Sequence, residues 1–298
     1  MCQRWRNSRP ELLDLTDYQK LAGDFKRIGG VHQISIAGGE PLMREDAIPI
    51  IKAFVEMGLS VNLCTNGMLL EEYSPEICKT GLTCITVSLD GATAETHDAI
   101  RGIPNSYRKV ENGIKAFIKN HGIRRPILRV RMTISGQNQH EIHEFYQKWR
   151  SIADDVLLQP VHHCHDAYYT GLSQNDLRLD PEVILEQIRG TWFENDDYMM
   201  HLITSLKQTG MYPNQPCYAG ILMVRLDPWG NVYPCLEQHV CVGSLKNRNF
   251  ETIWKSDVFA RERDRLYSLL RIDLVSKTKR SWMNFIIQLL FYTISIVV

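Results

Sequence analysis

Apolar positions along the chain follow two periods in turn. Residues 15–30, LTDYQKLAGDFKRIGG, put Tyr18, Leu21, Ala22, Phe25 and Ile28 on one stripe at helical spacing. Thr16 is the expected N-cap, Gln19 completes a capping box, and Gly29 and Gly30 form the stop. The next run, VHQISIA, is short and β-branched and ends at GGEP; after it Ile48, Ile51, Phe54 and Val55 resume the helical period. The alternation continues through LSVNLC, a helix over 71–79, TCITVSL, a helix over 107–120, PILRVRMTI, a helix over 140–150, and DVLLQP. Consecutive parallel strands need a helix-sized connection of right-handed sense. The pattern therefore predicts an α/β fold, a full or partial β/α barrel. Strands such as CITVSL are apolar almost throughout, as expected where both faces are covered.

The texture changes at residues 213–216. ILMVRLDPWGNVYPC reads as two strands joined at an Asp-Pro-Trp-Gly-Asn turn. The expected divisions are a barrel over 1–211, a smaller region over 212–266, and a basic then hydrophobic tail over 267–298. The tail run 282–298 reaches only the lower limit for crossing a bilayer, and Asn284 and Gln288 interrupt it. A tail anchor, a buried helix and the product of a frameshift are the alternatives there.

Charge narrows the partners little. Thirty-four basic residues balance thirty-four acidic ones, so no field favours nucleic acid or a membrane surface. The eight cysteines follow no secretory signal, which favours reduced thiols or metal ligands and a cytoplasmic setting, with a tail-anchored location as the alternative.

In β/α barrels chemistry collects in the loops after the strands' C-terminal ends. Those loops here are AGGEP, CTNG, SLDG, RMTISGQN and QPVHHCH. Two glycines after a buried strand let a ligand approach the backbone, and Glu40 adds a carboxylate. Thr65, Asn66, Ser88 and Asp90 are small polar groups that suit either a ligand or ordinary turns. Arg131, with its guanidinium fork, suits a carboxylate ligand or a balancing role opposite Asp90. Residues 162–166, HHCHD, suit zinc, substrate contact or a polar loop.

AGGEP, TNG, VSLDG and HDAIRGIPNSYRKVENGI, taken together, resemble the radical S-adenosylmethionine (radical SAM) superfamily, from Cys2 to about residue 160. The resemblance implies a partial (β/α)6 barrel. It also implies that Cys2 is the third cysteine of a Cys-x3-Cys-x2-Cys motif whose first two cysteines, with the first strand, are absent from this sequence; a mis-called or truncated start and a clusterless protein are the alternatives. A single cysteine cannot hold a cubane cluster, and without that strand Gln33 to Ala37 is expected to form an unpaired edge.

By the same resemblance Gly38, Gly39, Glu40 and Pro41 would bind the amino group of SAM. Thr65, Asn66, Ser88, Asp90 and Arg131 would take its ribose and carboxylate. A [4Fe-4S] cluster would reductively cleave SAM to a 5′-deoxyadenosyl radical, with an external donor such as a flavodoxin or ferredoxin.

Cys217, Gly230 and Cys235, followed by Cys241, are similar to the opening half of the SPASM extension or its shorter twitch form, which implies an auxiliary iron-sulfur cluster. The implied substrate is a peptide, a protein or a small metabolite; the catalytic residues are not indicated. Two other readings stay open: a non-catalytic remnant acting as a binding protein, and an ordinary β/α-barrel enzyme.

Overall fold

The structure is a computed structural model that describes residues 12–120, 126–161, 173–210, 219–236, 240–269 and 292–297. Cys2, Cys217, residues 162–166 and most of the tail lie outside them. The chain forms two units interleaved along the sequence, one of residues 1–6, 64–79 and 84–215, the other of residues 7–63, 80–83 and 216–298.

The first unit repeats strand and helix. β3 (Cys84–Ser88), β4 (Ile127–Ile134) and β5 (Asp155–Pro160) pair in parallel, with Ser88 opposite Arg131 and Arg131 opposite Leu157. α3 (Leu70–Ile77) precedes β3, α4 (Ala94–Arg101) and α5 (Ser106–Asn120) connect β3 to β4, and α6 (Ile142–Trp149) connects β4 to β5. After β5 come α7 (Gln174–Leu177), α8 (Pro181–Ile188) and α9 (Asp197–Thr209).

In β4 the two faces differ sharply. Leu128, Val130, Met132 and Ile134 are fully buried, whereas Arg129, Arg131 and Thr133 on the opposite face are half-buried. β3 is buried on both faces down to Ser88, as its composition implied. The other strands of the repeat alternate instead, because one face of the sheet is polar and only partly covered. Residues i and i+2 share a face, so this polarity is written directly into the sequence.

In the second unit α1 (Leu15–Ile28) precedes β1 (Val31–Ala37), α2 (Ala47–Glu56) and β2 (Ser60–Thr65). The cap of α1 corrects the expectation at Thr16. Asp14 accepts from the Asp17 N–H at 2.9 Å while Asp17 accepts from the Asp14 N–H, so the box closes on Asp14 and Asp17, ahead of the Thr16–Gln19 pair. Gly29 ends the helix as expected, at φ 67°. The buried stripe packs as an aromatic cluster: Phe25 stacks on Phe54 at 6.2 Å and meets Phe250 edge-on at 5.0 Å. Such pairs each contribute about 0.5–1.5 kcal/mol beyond their buried area.

The predicted hairpin is present as β6 (Met223–Leu226) and antiparallel β7 (Asn231–Tyr233), followed by β8 (Gly243–Ser244), α10 (Phe250–Trp254) and α11 (Asp257–Leu269). Buried Asp227 builds the turn, accepting from the N–H groups of Trp229 and Asn231, the Asn231 side-chain amide and the Tyr233 hydroxyl. Burial, reinforced by the Asp227 charge, pushes the Tyr233 hydroxyl up to about 12.

The last strand, β9 (Tyr292–Val297), overturns one expectation outright. β1 is not an unpaired edge: it pairs with β2 on one side and with β9 on the other, parallel to both. This part of the tail is also a strand and not a helix. Its Thr293 to Ile296 run alternates hydroxyl residues with isoleucine at period two. No helix among the described residues is long and apolar enough to cross a membrane.

Candidate functional site

β1 ends at Ala37, and the backbone then turns at Gly38 with φ 149°, a conformation side-chain-bearing residues rarely adopt. Glu40 follows, nearly buried, and its Oε1 accepts from the Leu42 N–H at 3.2 Å, capping the short 3-10 turn that Pro41 opens. Arg44 fixes the exit of this loop. Its Nε and one terminal nitrogen donate to the two Asp46 oxygens at 2.8 Å each, and that nitrogen also reaches the Leu13 carbonyl at 2.9 Å. Nothing in the sequence marks Arg44 for this role, because an exposed arginine and an anchoring one look alike there.

In the first unit Thr65 accepts from the Gly67 N–H at 3.0 Å and Asn66 from the Met68 N–H at 2.9 Å, so both shape the TNG turn. Gly67 has φ 79°, and a Cβ there would lie 2.8 Å from Val110 and 2.9 Å from Val87. The turn therefore needs glycine on conformational and steric grounds alike.

Asp90 and Arg131 separate cleanly. Asp90 is fully buried; its Oδ1 accepts from the Thr133 N–H at 3.1 Å, and Oδ2 faces Arg101 at 2.8 Å. Its backbone N–H donates to His97 Nδ1 at 3.0 Å, and its carbonyl accepts from Asn138 at 2.9 Å. Asp98, between His97 and Arg101, accepts from the Tyr107 N–H at 2.8 Å and the Ser106 hydroxyl at 2.7 Å. The run HDAIRGIPNSY is thus a scaffold that holds the SLDG loop and starts α5.

Among the described residues Arg131 has no carboxylate partner. One terminal nitrogen donates to Ser88 Oγ at 3.1 Å, the other approaches Gln159 Oε1 at 3.4 Å, and its Nε is buried with no hydrogen-bond partner. The balancing role opposite Asp90 belongs to Arg101. Arg129, two residues earlier on the same face, is instead paired with Asp155 at 2.7 Å. A guanidinium held by neutral groups, with a donor left over, is suited to an anionic ligand, because an unpaired buried donor carries a desolvation cost that a carboxylate would offset.

His97 carries a testable consequence. Burial first, and the Arg101 charge second, lower its pKa to about 4, so the ring is neutral at physiological pH. The folded value lies below the unfolded one, near 6.5. The unfolded chain therefore binds the extra proton between about pH 6.5 and 4, and stability falls as pH drops through that window, by about 2–4 kcal/mol in all. Urea melts across pH 4–7 should show this slope in the wild type, and His97→Gln should flatten it.

In the second unit Cys235 and Cys241 both fall in the connection between antiparallel β7 and β8. Cys235 is half-buried, and Cys241 is exposed with its thiol 3.3 Å from the Gly243 carbonyl. Among the described residues no three metal-binding side chains gather at one point. The described thiols do not by themselves enclose a cluster.

Sequence profiles of known families match both regions. The radical SAM superfamily profile matches residues 1–148, and an iron-sulfur cluster-binding SPASM domain profile matches residues 217–281. The chain is 27% identical to the AdoMet-dependent heme synthase of Methanosarcina barkeri, over 77% of this chain and 70% of that one. It is 28% identical to the subtilosin biosynthesis protein AlbA of Bacillus subtilis, over 84% of this chain but only 55% of AlbA. Among solved structures it resembles anSMEcpe with bound AdoMet (TM-score 0.64, 15% identity, 89% and 80% of the two chains). Streptococcus suis SuiB is comparable, with a TM-score of 0.64, 15% identity, and 87% and 62% covered. At these identities the two structures speak to the fold alone, a partial barrel of the radical SAM type. Membership implies a [4Fe-4S] cluster and SAM as cofactors. The two profiles and the shared fold place this chain in the radical SAM superfamily, among members that carry a SPASM extension.

Proposed function

We propose that this protein binds S-adenosylmethionine and serves in radical modification of a peptide. The observation that carries the reading is the buried, unpartnered Nε of Arg131 beside Ser88. In this reading Arg131 and Ser88 take the carboxylate of SAM. Thr65 and Asn66 present the TNG turn to the ribose. Gly38, Gly39, Glu40 and Pro41 receive the amino group, the glycines by exposing backbone and Glu40 by its charge. In this reading Asp90, whose Oδ1 holds the Thr133 N–H and whose Oδ2 forms an ion pair with Arg101 without a hydrogen bond, positions the Ser88 loop.

When bound, a [4Fe-4S] cluster supplies the electron that cleaves SAM to a 5′-deoxyadenosyl radical. Cys2 would be one of its ligands, and Cys217, Cys235 and Cys241 would belong to an auxiliary cluster. The peptide class is favoured because AlbA acts in bacteriocin biosynthesis and the solved relatives include anSMEcpe with a bound Kp18Cys peptide and SuiB bound to the precursor peptide SuiA. A flavodoxin or ferredoxin would be the electron donor.

The test is anaerobic reconstitution with iron and sulfide, followed by reduction in the presence of SAM. Formation of 5′-deoxyadenosine supports the reading. Intact SAM alongside bound iron contradicts it and favours a non-catalytic binding protein.

A further inference from the structure

The pairing of β3 with β4 changes character just past Ser88 and Arg131, which stand opposite each other. The Leu89 N–H still donates to the Arg131 carbonyl at 2.9 Å. Beyond it both backbone groups of Thr133 are met by side chains. Asp90 Oδ1 takes the N–H at 3.1 Å, and the Asn138 amide donates to the carbonyl at 2.9 Å. The same amide nitrogen donates to the Asp90 carbonyl, also at 2.9 Å. Two carbonyls cannot bond each other, so a join between them needs a double donor. Asn138 supplies it.

This side chain is fully buried and its other end is filled too. Its Oδ1 accepts from the Ser135 N–H at 2.7 Å and from the Ser135 hydroxyl at 3.3 Å. The partners settle which way the amide faces: turned over, its oxygen would oppose two carbonyls and its nitrogen an N–H. The turn that carries it is backed by residues 175–180. The Gly136 N–H donates to the Asp176 carbonyl at 2.9 Å, and the Asp180 N–H to Gln139 Oε1 at 2.7 Å. A Cβ on Gly136 would collide with the Asn175 carbonyl oxygen, so this close approach requires glycine.

We propose that Asn138 is a positioning residue for S-adenosylmethionine: by holding the Asp90 and Thr133 carbonyls together it sets the spacing of Ser88 and Arg131, and so the fit of the carboxylate. The role rests on the reading of Ser88 and Arg131 as the carboxylate site. Each braced carbonyl lies two residues beyond a site residue, Asp90 after Ser88 and Thr133 after Arg131, so little slack separates brace from site. A binding group must be held to within about 0.5 Å to work, and a saturated, buried amide on a backed turn is suited to that.

Asn138→Asp tests this, because it keeps the shape but supplies at most one donor where two carbonyls wait. In the ligand-free variant the Arg131 Nε–H signal should move, while that of Arg129, on the same face but paired with Asp155, should stay. Affinity for S-adenosylmethionine should fall ~10-fold or more, and 5′-methylthioadenosine should bind within ~2-fold of wild type. A merely structural role would lower the melting temperature and leave the ratio of the two affinities unchanged. That result, or an Arg131 signal that stays in place, overturns the proposal. Wild-type protein that does not bind S-adenosylmethionine would instead overturn the carboxylate reading, and the ligand-free Arg131 signal would still show whether Asn138 sets that side chain.

If Asn138→Asp does not fold, the wild-type chain decides. S-adenosylmethionine should move the side-chain amide signals of Asn138 with the same midpoint as the Arg131 Nε–H signal, and 5′-methylthioadenosine should move neither. An Asn138 amide that stays put while the Arg131 signal moves overturns the proposal.

Discussion

Arg131→Lys should weaken binding of S-adenosylmethionine about 10- to 100-fold, while binding of 5′-methylthioadenosine, which lacks the amino-acid carboxylate, should not change. The magnitude follows from charge-assisted hydrogen bonds worth about 1.5–3 kcal/mol each to a partner the guanidinium does not find within the protein. Lysine keeps the charge but loses the fork, so at most one of those bonds survives. Calorimetric titration of both ligands into wild type and variant separates loss of carboxylate recognition from general damage, since damage would weaken both. Equal weakening of the two ligands would assign Arg131 to scaffolding.

Asp90→Ala should cost the most stability of any substitution in the SLDG loop, about 3–5 kcal/mol in urea unfolding. The carboxylate is fully buried between Arg101 and the Thr133 N–H. Its removal leaves a mostly buried guanidinium and a backbone donor without their acceptor. Arg101→Met in the same chain should recover about half of that loss, because the unpaired charge goes with it. If Asp90→Ala leaves stability intact but abolishes SAM binding, Asp90 meets ligand directly and the division of labour between Asp90 and Arg131 is reversed.

Much of this was legible in the sequence because burial was periodic. VHQISIA and DVLLQP became strands over the residues expected, and the Asp-Pro-Trp-Gly turn joined the hairpin where its chemistry placed it. The motif loops could be located, but the partners of their side chains could not. Arg131 and Arg101 are both arginines near Asp90 in one chain, and only the pairing of β3 with β4 against α4 decides which one neutralises it.

The cap of α1 was misplaced because DLTD offers three candidate polar positions, Asp14, Thr16 and Asp17, and the reciprocal box forms from the one two residues before the threonine. β9 was invisible for a different reason. Its neighbours in the tail are mostly apolar, which drowned a short alternation, and its partners lie at distant points of the chain.

The account rests on Arg131 being the anion-binding group of this fold, and its Nε–H proton reports that directly. In a nitrogen-15 correlation spectrum, with the Arg131 signal assigned by its loss in Arg131→Lys, titration with S-adenosylmethionine should move that signal saturably, and 5′-methylthioadenosine should leave it in place. A signal that stays put while S-adenosylmethionine binds would show that the carboxylate is held elsewhere, and the account would fail at its centre.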